Sequence, residues 1–160
     1  MVDGVLAWLQ ASAIGAAMRD GIWLYPMVET VHIVGFVLLV GSVAMFDLRV
    51  LGWGRALPVR TLGRHLLPWS AGSLLLVAPS GLLLFSTQPA DFIGNRAFQL
   101  KLLLIGTAGI NALLFHAGPW RKAAQWDGEQ GAPPLARLHA LVSLLLWVAV
   151  ICCGRLIAYL

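Results

Sequence analysis

The chain has 160 residues, of which 59% are hydrophobic and only 11% are charged. A soluble domain carries about a quarter charged residues, so this chain cannot cover a water-facing surface and is read as an integral membrane protein. Its net charge of +4 does not point to nucleic acid, because the basic residues cluster beside apolar spans, where they report topology. The lipid bilayer is the expected partner.

Val5, Leu6, Trp8, Leu9, Ala13 and Ile14 recur at helical spacing among small and polar residues. This predicts a short amphipathic helix over 5–18, lying flat on the membrane surface. Met1 to Asp20 has no basic leader and carries Asp3, so the first span is expected to act as its own insertion signal.

A spanning helix needs about 20 mostly apolar residues. Four stretches qualify, at about 22–48, 66–85, 98–115 and 138–159. Trp23 and Tyr25 suit an interfacial anchor at the start of the first span, and Pro26 sits where proline is tolerated. Pro79 is expected to kink the second. Loop one carries Arg49, Arg55, Arg60 and Arg64, and loop three carries Arg121, Lys122 and Arg137, while loop two has only Arg96. The positive-inside rule then places loops one and three in the cytoplasm and both termini outside, in the periplasm of a bacterial inner membrane. The expectation is a single all-α transmembrane domain, a four-helix bundle spanning 1–160 with a short N-terminal interfacial helix. Cys152 and Cys153 are adjacent and lack a CxxC arrangement, which suits small core or lipid-facing residues.

Ionisable groups inside a span are costly and point to function. At 1.5 Å per residue, His32 lies roughly 5 Å outward from the middle of span one, and Lys101 and Arg155 lie roughly 10 Å outward in spans three and four. Glu29 is one helical turn beyond His32 on the same face. Two readings stay open for these four. They form an ion-pair network that fixes helix register, or they hold a haem, with His32 as axial ligand, Lys101 as second ligand or propionate partner, and Arg155 on a propionate. His65, His116 and His139 come from the opposite ends of spans two, three and four. They are interfacial residues or a second, inner metal site. His32 and His116 are separated by roughly 18 Å along the normal and cannot share one iron. Asn111 is expected to hydrogen-bond between helices.

The segment Glu29-Thr-Val-His32-Ile-Val-Gly, with Gly41 and Asp47-Leu-Arg49 after it, and the segment Ala97-Phe-Gln-Leu-Lys101-Leu-Leu-Leu-Ile, followed by Gly109-Ile-Asn111, resemble a family of uncharacterised bacterial four-helix membrane proteins. That family looks related to the HemJ-type protoporphyrinogen oxidases and to the membrane domain of the CopD copper-resistance proteins. The first resemblance covers most of the chain, and the second rests on spans one to three. It implies a functional histidine–lysine pair associated with haem b, falling on His32 and Lys101, and an arginine closing the first span, at Arg49. The chain departs from the HemJ pattern at Leu38-Leu39, where a tryptophan is usual, and in span four. The departure bears on porphyrinogen oxidation more than on haem binding.

Three functions follow as expectations. The first is a b-type haem redox protein, an oxidoreductase acting on a porphyrinogen-like or quinol-like donor. The second is copper binding or transport, although copper(I) prefers sulfur ligands and Met18, Met27 and Met45 do not cluster with His32. The third is a non-catalytic membrane subunit. A homo-oligomer or a membrane redox partner is compatible with each.

Overall fold

The computed structural model describes residues 2–127 and 131–159. It is all-α, and among the described residues no strand occurs. Four helices are long and apolar enough to cross a membrane: α3 (Leu24–Leu51), α4 (Val59–Phe85), α6 (Arg96–Ala117) and α8 (Pro134–Leu156). Their outward faces are the apolar ones. Leu75 is 79% exposed, Leu113 71% and Leu103 66%, the inverse of a water-soluble bundle and the pattern of a lipid-facing surface.

The surface segment is two helices, α1 (Val2–Ala11) and α2 (Ala13–Asp20), where one continuous helix over 5–18 is expected from the apolar spacing. Ser12 makes the break. Its hydroxyl donates to Leu9 O at 2.6 Å and accepts from Gly15 N at 3.1 Å, ending one helix and capping the next. Trp8 and Val5 stay exposed while Met18 is buried. The pair therefore offers an apolar surface outward while anchoring itself on the bundle, α1 against α5 (Pro89–Gly94) and α2 against α3 and α4.

The second span starts earlier than hydropathy suggests, at Val59 rather than about Leu66. Its first two turns carry Arg60 and Arg64 and extend the helix beyond its apolar stretch. Pro58, at the N-cap position, has no side chain to cap the helix. The carboxylate of Asp127 does it instead, accepting from Val59 N and, at 3.3 Å, from Arg60 N. Loss of a helix N-cap costs about 1 kcal/mol. Asp127→Ala should therefore lower unfolding stability by that amount, and thermal unfolding in detergent measures it.

At the end of α3, Gly52 adopts φ +112° and reverses the chain, its N–H and that of Trp53 returning to Arg49 O and Leu48 O. Arg49 is buried and its guanidinium donates to Leu57 O and Arg55 O, stitching loop one. In α6 the N-cap Asn95 accepts from Ala97 N and Phe98 N and donates to Ile157 O, joining the start of α6 to the end of α8.

The four spans do not pack all against all. α3 lies between α4 and α8, and α8 lies between α3 and α6. α4 and α6 approach each other only at the end where α4 finishes and α6 begins. There Phe85 stacks on Phe98, with centroids 5.7 Å apart, and Phe92 leans on both. At the opposite, arginine-rich end, Trp120 of the 3-10 turn Pro119–Lys122 sits against Gly63 of α4 and Phe46 of α3. Phe46, Val50, Val59, Phe115, Trp126, Ala136 and Ala140 form the main core there. Between these two aromatic clusters α4 and α6 are not direct neighbours, and α3 and α8 stand between them.

Candidate functional site

His32 projects from α3 toward α4. The next turn of α3 places Phe36 against Trp147 of α8, with centroids 6.1 Å apart, so this face of α3 looks between α4 and α8. The imidazole is half-buried. Its Nδ1 lies 3.1 Å from Val77 O and 3.0 Å from Ser80 Oγ. A carbonyl oxygen only accepts, so Nδ1 carries the proton and donates. The Ser80 hydroxyl donates to Leu76 O, back along its own helix, and so presents a lone pair to the same Nδ1–H. This fixes the tautomer: Nε2 keeps its lone pair, and among the described residues nothing hydrogen-bonds it.

Helical spacing on α4 produces this seat. Val77, Ser80 and Gly81 stand at i, i+3 and i+4 on one face. Gly81 is there because a Cβ would come within 3.1 Å of His32 Cε1. One turn along α3, Gly35 lets the helices approach: a Cβ there would meet Leu76 Cβ at 2.8 Å and Val77 Cγ2 at 3.0 Å. The close contact brings the Val77 carbonyl to the imidazole.

Lys101 is half-buried on α6. Its ammonium group lies against α8 at Gly154, where a Cβ would be 3.6 Å from Nζ. It is close enough to His32 for the two to interact electrostatically, as is Glu29. The ion-pair network is not formed. Among the described residues the one salt bridge is Arg19–Asp20, at 3.5 Å. Glu29 is exposed, and Arg155, also exposed, donates to Tyr159 Oη at 2.6 Å with its guanidinium 4.9 Å from that ring centre. The polar residues at this end thus form no network: His32 turns to α4, Lys101 to α8, and Glu29 and Arg155 are exposed.

The three inner histidines are placed differently from one another. His139 is half-buried and paired with Asn111: Nδ1 donates to Asn111 Oδ1 at 2.7 Å, and Asn111 Nδ2 donates back to His139 O at 3.0 Å. This is the interhelical bond expected of Asn111. His116 is exposed and turns its Nδ1 to Ala112 O of its own helix, and His65 is exposed. Phe115 stands between His116 and His139, its centroid 5.7 Å from one ring and 6.2 Å from the other. Among the described residues no group of three or more His, Cys, Asp or Glu side chains converges. Met27 and Met45 are exposed, and Cys152 and Cys153 are free thiols, the first exposed and the second buried.

Sequence reasoning missed Ser80, Gly81 and the Val77 carbonyl. The local signal for the first two was Pro79-Ser80-Gly81 interrupting a leucine-rich run. No protein-family model matches this chain, and no curated protein or solved structure is significantly similar to it.

Proposed function

We propose that the chain is a b-type haem-binding redox protein of a bacterial inner membrane, with its arginine-rich end in the cytoplasm and both termini in the periplasm. The observation that carries this reading is the state of His32. A metal-binding histidine characteristically donates its other ring N–H to a carbonyl, which fixes the tautomer and raises the basicity of the free nitrogen. His32 has that arrangement, with Val77 O and Ser80 Oγ on Nδ1 and Nε2 available. The residues present therefore fit a haem iron at Nε2 of His32.

His32 would hold the iron through Nε2. Lys101, on α6, would serve as second ligand or as the cation for a propionate, and a lysine stem reaches several ångströms from its own level. Arg155 stands at the same end with donors beyond the one given to Tyr159, and would meet a propionate there. Glu29, one turn beyond His32 on α3, is exposed. When bound, the group supplies one-electron chemistry, and its potential is set by the axial ligand, its hydrogen bonds and the low dielectric of the surroundings. We infer a porphyrinogen-like or quinol-like donor, reaching the site from the lipid that the exposed apolar faces imply.

The test is an absorption spectrum of the detergent-purified protein, expressed with ample haem supply, oxidised and then reduced with dithionite. A Soret band that shifts on reduction, with sharp visible bands, is the expected result. A flat visible spectrum removes the reading and leaves copper analysis or a purely structural role.

A further inference from the structure

Asp47 lies near the arginine-rich end of α3 and is buried, with 6% of its surface exposed. Its Oδ2 is a buried side-chain oxygen with no hydrogen-bond partner among the described residues. The surroundings are apolar: Phe46 and Val50 flank it on α3, and Phe115, Ala136 and Ala140 belong to the same core. Ser143 of α8, itself buried, is the polar group that faces the carboxyl.

Among the described residues no countercharge pairs with it, and Arg121 and Lys122 of the 3-10 turn are exposed. Arg49 is committed to the loop carbonyls of Leu57 and Arg55. On α4 the ionisable groups at this level, Arg60, Arg64 and His65, are exposed. On α8, Arg137 is exposed, and His139 is bound through Nδ1 to Asn111. On α6, His116 is exposed and turned to its own helix. An isolated carboxylate in such a place is prohibitively costly, and the group neutralises instead.

Two ligands could neutralise it. A sodium or potassium ion requires a shell of several oxygens, whereas this site offers Asp47 and the Ser143 hydroxyl, the Asn111 amide being occupied by His139. A proton requires only one oxygen. We propose that Asp47 is a proton-binding carboxyl: its neutral form persists in the folded protein, and Ser143 is the neighbour that positions it. The step is protonation of the carboxylate by water-borne hydronium, with one proton bound and no other bond changed. It is independent of whether the outer site holds a haem.

Infrared difference spectroscopy on the full chain in detergent tests this. The wild type should show the carbonyl stretch of a protonated carboxylic acid at neutral pH. The band should shift in D2O, should be absent in Asp47→Asn and should survive exchange of sodium for potassium or choline. A second measurement does not depend on the variant behaving well. Unfolding the wild type in weakly buffered SDS with urea at neutral pH frees Asp47 from the core and brings it, four residues from the end of its helix, to the micelle surface, where it ionises, so proton release should exceed that of Asp47→Asn by at most one per chain. Absence of an acid band that the substitution removes, equal proton release by both proteins, or loss of the band on adding sodium would each overturn the proposal.

Discussion

Replacing His32 with alanine should leave a folded bundle that no longer retains haem. The substitution removes the proposed ligand, the imidazole that the Val77 carbonyl and the Ser80 hydroxyl orient. Soret absorbance per protein should fall at least about tenfold, since even the partners that orient a ligand are typically worth 10–100-fold in metal affinity. His116→Ala should retain the wild-type spectrum, because His116 is exposed, bonds to its own helix and lies roughly 18 Å from His32 along the normal. Ser80→Ala should fall between them: Val77 O still takes the Nδ1 proton, so the iron stays while its potential shifts. Circular dichroism and size-exclusion profiles of the variants keep unfolding separate from loss of the ligand. Equal loss of haem in His32→Ala and His116→Ala would place the group elsewhere.

Length and hydropathy were enough to find the four spans, and the start of the third lies within two residues of the expected Phe98. The start of α4 was not legible, for a physical reason. Hydropathy registers the hydrocarbon layer, and the first turns of α4 leave it, capped by Asp127 from far along the chain rather than by a neighbour. The break at Ser12 was local and readable as an N-cap, but the apolar spacing runs on through it and conceals it. The candidate site residues divide in the same way. An ionisable group at mid-span stands out by its cost, which made His32 visible. Its orienting partner is a backbone carbonyl, which carries no residue-type signal. Depth along a helix follows from counting residues, while direction around it depends on which neighbour it packs against. Glu29, Lys101 and Arg155 accordingly share a level without forming an ion pair, and His65, His116 and His139 share an end without converging.

Gly35→Val should pry apart the α3–α4 pair. The added Cβ alone would stand 2.8 Å from Leu76 Cβ, 3.0 Å from Val77 Cγ2 and 3.3 Å from Val77 N. Two of these atoms are side-chain carbons close to the backbone and the third is backbone, so no flexible side-chain end can move aside and the helices must separate. Overpacking of this kind costs about 1–3 kcal/mol. The same displacement moves Val77, whose carbonyl holds Nδ1 of His32, so the outer site should loosen together with the fold. Gly41→Val on the same helix is the matched control: a Cβ there meets nothing within 4 Å, and the change should stay within about 0.5 kcal/mol, as substitutions away from packed contacts usually do. SDS titration of helicity gives the stability difference, and the Soret absorbance of the same samples gives the effect on the site. Because Gly35 touches α4 and not the imidazole, a loss of haem in Gly35→Val with His32 intact would show that α4 positions the ligand through its backbone. Full haem retention in a destabilised Gly35→Val would show that the Val77 carbonyl is dispensable to the site.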